Sequence, residues 1–376
     1  MTATGPDARY EDLLAAARHD VERGRVPACQ LAVAREGRVL FFEALGRATT
    51  ATRFCAFSAT KPIVAAAVWL LIGDRRLDIT RPVAHYVPEF ASKGKEAVTV
   101  EQVLLHTSGF PAAPISVADG TDAERRRARF ATWHLDWEPG SRFQYHAESA
   151  HWVLVDLIER LRGADFREVI DAAVCRPLGL PRVLGIPLGD QSDIAPLTPV
   201  DPDGKGGTGP WEPPAEPAEV ASFSGDWREL LIFDDPVVRA AGVSAAGAIM
   251  TAADLALFYQ GVMHNPGGVW SPDVLHDATT NIRCRLPDPL LDVPANRTIG
   301  LVVAGDDGQH VMRYASFGQG NSPAAFGHAG AHGQIGWADP ATGVSFAYLN
   351  NAVSPDPMQA GRRAYQLSTA AAALFA

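Results

Sequence analysis

The sequence predicts a mixed fold of the α/β (α+β) class. One antiparallel sheet is assembled from both ends of the chain and flanked by helices, and a mainly helical domain is inserted between them. Two observations predict it. Strand-like runs lie near the ends, at 28–45 and 298–350, whereas helical patterns fill the middle. Amphipathic patterns also occupy both ends, at 8–23 and about 357–375, where helices would cover such a sheet. The division that follows is 1–75 with 240–376 as an α/β sandwich and 76–239 as the helical domain.

Each element has a local reason. In 8–23, Leu13, Ala17 and Val21 recur at i, i+4 and i+8 with charge on the other faces. Ala28–Arg35 and Val39–Leu45 read as two strands joined at Glu36-Gly37-Arg38. Ser58 to Ile72 reads as a helix that becomes apolar on every side and is therefore expected to be buried. Helical patterns follow at 100–106, 121–133, 148–162 and 166–174. Residues 199–217 hold six prolines and four glycines, an irregular excursion. Thr251-Ala-Ala-Asp254 before an apolar run is a helix-start signature. Residues 298–305, 310–316, 332–338 and 343–350 look like strands, the last two joined by Asp339-Pro-Ala-Thr-Gly343.

Composition excludes several classes. The 376 residues carry a formal charge of −10, so the phosphate neutralisation that begins nucleic-acid binding lacks a basic block. Four cysteines without a CxxC pair form neither a disulfide framework nor a zinc clamp. The longest apolar run, Pro62 to Ile72, is too short to cross a bilayer. The first twenty residues have no basic and apolar leader pattern, so a cytoplasmic protein with no membrane partner is expected. His328 and His332 have H-x3-H spacing but lie in a strand-like segment and share no helix face, so no metal site is expected.

The sharpest local feature is Ser58-Ala59-Thr60-Lys61. Residues i and i+3 of a helix lie on one face. A serine there can give its proton to a lysine amine if burial keeps that amine neutral, and the apolar run after Lys61 supplies the burial. Ser58 also sits at the positive end of the helix dipole, and Pro62 suits an early helix position. Lysine is scarce, four against 29 arginines, and arginine cannot act as a base. A second match, Ser92-Lys93-Gly94-Lys95, lies in a polar, glycine-containing stretch and reads as a loop in which neither lysine is desolvated. No G-x-S-x-G pentapeptide or HExxH motif competes.

Around these residues the chain resembles a family. SATKPIVAAAVWLLI looks like the active-site helix of serine β-lactamases and penicillin-binding-protein relatives, closest to class C β-lactamases and family VIII carboxylesterases. Leu104-Leu-His-Thr-Ser-Gly109 is similar to the family's LLxHTSG stretch, and Glu138-Pro-Gly-Ser-Arg-Phe-Gln-Tyr145 to its PG-x-x-F-x-Y segment. Ala245 to Leu255 resembles its A-G-G-x-x-S/T-x-x-D-L helix start, and Phe326 to Gly333 sits where its K-T-G or H-x-G strand belongs. The resemblance implies a β-lactamase-like fold. It further implies Ser58 as the nucleophile of an acyl-enzyme, Lys61 as its proton partner, and Tyr145 as a general base or acid acidified by Lys61. The backbone N–H groups of Ser58 and Ala331 would form the oxyanion hole. Gly330 would let the strand approach substrate, and His328, in place of the lysine, would donate to the tyrosine or to a substrate carbonyl. His106 would be structural, and His332 and Trp337 are candidates to line the pocket.

Two departures point away from β-lactams. Tyr145-His146-Ala147 lacks the amide of Y-x-N, and His328-Ala329-Gly330 replaces K-T-G, so a carboxylate is held less well. The expectation is a serine hydrolase of small carboxylic esters that needs no metal or organic cofactor. The alternatives are an acyltransferase or amide/β-lactam hydrolase on the same machinery, and a non-catalytic ligand-binding protein on the same fold.

Overall fold

The computed structural model describes residues 6–200, 214–219, 227–313 and 317–375. Its main sheet has six strands, β1 (Ala28–Arg35), β2 (Arg38–Gly46), β3 (Val302–Val303), β4 (Phe326–Gly330), β5 (Gln334–Asp339) and β6 (Val344–Asn350). Their order across the sheet is β2-β1-β6-β5-β4-β3, and every neighbouring pair is antiparallel. Both ends of the chain therefore contribute, as the sequence suggests, with Leu31 opposite Tyr348 and Val33 opposite Phe346. The β1–β2 turn places Glu36 and Gly37 at positive φ, 53° and 72°, the mirror-image turn that matches strand twist.

Both faces of the sheet are covered, so the inner strands are buried at nearly every position. Leu31, Val33, Trp337, Phe346 and Tyr348 face helices α1 (Pro6–Glu22) and α5 (Pro357–Ala373), meeting Leu13, Ala17, Ala364 and Leu367. A buried bond from Arg363 to Asp20, 2.5 Å, ties these two helices. The smaller Ala32, Ala34 and Ala347 point to the other face. There α4 (Ala252–His264) lies so close that a Cβ on Gly336 would sit 2.5 Å from the Tyr259 ring. Thr251 and Asp254 cap that helix reciprocally, the expected start. Beyond α4, the same core continues through α2 (Lys61–Gly73) to α3 (Ser149–Arg162). Helix α2 is buried on all sides; Trp69 donates to the Ile299 carbonyl and Trp270 to that of Ala66.

Two strand assignments need correction. Of 298–305 only Val302–Val303 pairs as strand. His310–Met312 is a 3-10 turn, because Arg313 reaches back to the Ala304 carbonyl and to Asp307 and folds the segment over; 314–316 lie outside the described residues. Phe326–Gly330 is a strand although its glycines give it little intrinsic preference. Most of the proline-rich stretch 199–217 lies outside the described residues. No helix among the described residues is long and apolar enough to cross a membrane.

Candidate active site

The site begins with a tight turn. Phe57–Thr60 is a 3-10 helix that runs directly into α2, with Pro62 in the first helical turn. In 3-10 geometry side chains at i and i+3 eclipse, which brings Ser58 and Lys61 together. The turn is pinned from outside: Ala56 N–H donates to the Ala248 carbonyl at 2.8 Å, and Ala248 N–H to Thr60 Oγ1 at 2.9 Å. Phe57 sits at φ +44°, a strained conformation for a bulky residue, held by ring contacts to Phe233 and His332.

Lys61 is 1% exposed, while Ser58 is half-buried. The lysine Nζ lies 3.2 Å from Ser58 Oγ, 2.8 Å from the Ala147 carbonyl and 2.9 Å from the Ala245 carbonyl. The two carbonyls only accept, so they take two N–H bonds. In the neutral amine the remaining position is a lone pair facing the serine hydroxyl. Burial lowers the Lys61 pKa to about 7; Glu148 opposes that shift and the charge of Arg297 adds to it.

The second Ser/Lys pair shows what this arrangement excludes. Contrary to expectation Lys95 is buried, and its Nζ contacts Ser92 Oγ at 3.1 Å and the carbonyls of Ser92 and Trp133. Ser92, however, gives its own proton to the Ala131 carbonyl at 3.2 Å. Its oxygen is thus an acceptor, and Lys95 is an ammonium donating three bonds that fasten a loop. Among the described residues Ser58 Oγ has no acceptor other than Lys61.

Tyr145 is positioned by the 106–109 loop. The N–H groups of Asp136, Gly140 and Gln144 donate to the carbonyls of Gly109, Thr107 and His106, and His146 N–H donates to His106 Nδ1. His106 and Gly109 adopt positive φ, and a Cβ on Gly109 would lie 2.6 Å from the Trp137 carbonyl oxygen. The Tyr145 ring centroid is 4.9 Å from Lys61 Nζ, 4.8 Å from the His106 ring and 6.1 Å from the His328 ring. A second cation, Arg297, sits 5.4 Å from the same centroid.

From the opposite side the end of β4 brings Gly330, and Ala331 after it, against the Ser58 turn. A Cβ on Gly330 would lie 2.3 Å from the Ala56 carbonyl oxygen, so glycine is needed for the strand to reach the turn. His328 Nδ1–H donates to the Ala329 carbonyl at 2.6 Å, and its Nε2 accepts from Arg297 Nη1 at 3.0 Å. Burial holds this imidazole neutral, its pKa well below the usual value. Both nitrogens are thus engaged inside the protein, and the imidazole proton goes to the Ala329 carbonyl rather than to the tyrosine, contrary to expectation.

The family model that matches the chain, "Beta-lactamase", aligns with residues 13–371. The chain belongs to the beta-lactamase family. A relative, "Esterase/beta-lactamase LipL" of Mycobacterium tuberculosis, is 28% identical over 314 residues, covering 78% of this chain and 68% of that protein. "Esterase EstB" of Burkholderia gladioli is 33% identical over 175 residues, 39% of this chain and 44% of that one. Among solved structures, EstA from Arthrobacter nitroguajacolicus Rue61a superposes with a TM-score of 0.77 at 23% identity, covering 98% of this chain and 96% of that one. At that identity the likeness is one of fold.

Against this beta-lactamase frame, the structure brings Ser58, Lys61, Tyr145, His328, Gly330 and Ala331 to one place. Trp337 is elsewhere: it lies on the face of the sheet toward α5 and donates to Ser368 at 3.0 Å. His332 packs on Phe57 and accepts from Ser354 N–H. Four contributors escape the sequence reading. The backbone carbonyls of Ala147 and Ala245 carry no side-chain signal, although both lie in the quoted motifs. Glu148 is half-buried, and burial raises its pKa to about 7 against the pull of Lys61. Arg297 is one arginine among 29, 31 residues before His328.

Proposed function

We propose that this chain hydrolyses small carboxylic esters through an acyl-enzyme on Ser58. The observation that carries the reading is the Lys61 amine, buried, held by two carbonyls and aimed at a serine hydroxyl whose proton has no other acceptor among the described residues. Ser58 Oγ attacks the ester carbonyl while its proton passes to Lys61. The tetrahedral oxyanion is held by the N–H groups of Ser58 and Ala331. The leaving alkoxide departs with the proton of Tyr145, which becomes a phenolate beside the Lys61 ammonium. Water then attacks the acyl-serine, the Tyr145 phenolate takes its proton, and Lys61 returns its proton to Ser58 Oγ as the carboxylic acid leaves. The esterase names of the relatives support this substrate class. So does Ala147, which offers a backbone carbonyl to Lys61 where an asparagine amide would hold a β-lactam's acyl-amide.

The helical stretch 76–239 is proposed as a distinct domain walling the site. A cytoplasmic location belongs to the same proposal, supported by four buried, free cysteines. The test is turnover of p-nitrophenyl butyrate beside intact-mass detection of a fluorophosphonate adduct. Ser58→Ala should abolish both, and full activity in that variant would refute the assignment.

A further inference from the structure

We propose that Arg297 is the positioning cation of this site: it fixes His328 in one tautomer and holds a permanent positive charge against the Tyr145 ring. The inference rests on the acyl-Ser58 reading and extends it to a residue with no place in the motifs.

Arg297 is 2% exposed, and a guanidinium keeps its charge at any working pH. Its backbone is fixed on both sides. Arg297 N–H donates to the Cys284 carbonyl at 3.0 Å, and its own carbonyl accepts from Arg283 and Cys284. Thr298 Oγ1 donates to the Ala278 carbonyl, and Gly300, at φ +126°, is pressed against Ala65 of α2. From this anchor the guanidinium lies over two rings, Phe143 at 5.6 Å and Tyr145 at 5.4 Å. Its Nη1 donates to His328 Nε2, which leaves the single imidazole proton on Nδ1, where the Ala329 carbonyl takes it.

Two cations therefore share the Tyr145 ring, Lys61 at 4.9 Å and Arg297 at 5.4 Å. The groups that face Lys61 are Tyr145, Glu148, Arg297, His106, His151 and His328. Burial keeps the three histidines neutral, so Arg297 is the fixed positive charge and Glu148 the opposing acid. A second cation this close disfavours a proton on Lys61. It also stabilises the negative charge that develops on the phenol oxygen while a proton moves. His328 is neutral and supplies neither effect.

The experiment compares Arg297→Met and Arg297→Lys in the full chain, reading the pH dependence of Ser58 fluorophosphonate labelling, with thermal unfolding as the folding control. Arg297→Met is expected to move the acid limb of labelling up by about one pH unit, through loss of the charge. Arg297→Lys should leave the limb within a few tenths of a unit. A folded Arg297→Met with an unmoved limb, or a lysine variant shifted as far as the methionine one, overturns the proposal. Should Arg297→Met fail to fold, long-range 1H–15N spectra of the wild-type protein decide, with His328 assigned by loss of its signals in His328→Gln. Protonated Nδ1 and bare Nε2 support the proposal, and a protonated Nε2 overturns it. Absence of a Ser58 adduct in the wild type would instead sink the acyl-enzyme reading itself.

Discussion

Gly330→Ala tests how strand β4 and the Ser58 turn are fitted together. The added methyl would sit 2.3 Å from the Ala56 carbonyl oxygen and 2.9 Å from Gln334 Cβ. Neither neighbour is the free end of a flexible side chain, so the turn or the strand must withdraw by on the order of 1 Å to restore van der Waals contact. Ala56 leads directly into Phe57 and Ser58, and Gly330 into Ala331, so either retreat opens the gap between the two N–H groups of the proposed oxyanion hole. A misplacement of about 1 Å costs on the order of 100-fold in rate, and overpacking costs about 1–3 kcal/mol in stability. Gly361→Ala is the matched control: it lies within α5, and its added methyl meets nothing within 4 Å. That variant should gain about 0.5–1 kcal/mol with unchanged turnover. The assay is kcat/KM on p-nitrophenyl butyrate beside Tm from calorimetry. Wild-type kcat/KM and Tm in Gly330→Ala would refute the packing argument.

Three further outcomes are expected. Asp156→Ala removes the carboxylate that meets Arg126, Arg127 and Arg160, leaving Arg126 buried with weakened compensation; it should cost about 3–5 kcal/mol in urea unfolding. Thr251→Ala deletes the cap of α4 and should cost about 1 kcal/mol by the same measurement, with activity retained. Lys61→Met should slow Ser58 labelling by about 10²–10⁴-fold. The same variant should also change the pH dependence of stability. The folded Lys61 pKa, about 7, lies below the unfolded value of 10.5, so the unfolded chain binds the extra proton between them and wild-type stability rises with pH across that window. Urea melts at pH 6.5 and pH 9 should show that rise in wild type and a smaller one in Lys61→Met.

What the sequence disclosed follows the range of the forces involved. The Ser58–Lys61 pair, the all-apolar helix behind it, the Thr251 cap and the Asp339–Gly343 turn are local, so spacing and residue type suffice to place them. Lys95 is buried with its Nζ bonded to the Trp133 carbonyl, 38 residues away, a contact that no local pattern reports. The strand Phe326–Gly330 owes its extended form to partners on both sides, β5 and β3, rather than to its own glycine-rich residues. Arg297 stayed hidden for the same reason: the ring and the imidazole it meets are brought there by tertiary packing. Family motifs carried Tyr145 to the site, while the carbonyls that hold Lys61 belong to backbone and carry no letter in the sequence.

The central claim is that the amine beside Ser58 is neutral near physiological pH and takes the serine proton. The most direct measurement is the rate of wild-type Ser58 labelling by a fluorophosphonate, read by intact mass from pH 5 to pH 10. The rate should climb with pH and level off just above 7, where Lys61 loses its proton. A rate independent of pH between 5 and 8, or one still climbing toward pH 10 as for a solvated lysine, would contradict it.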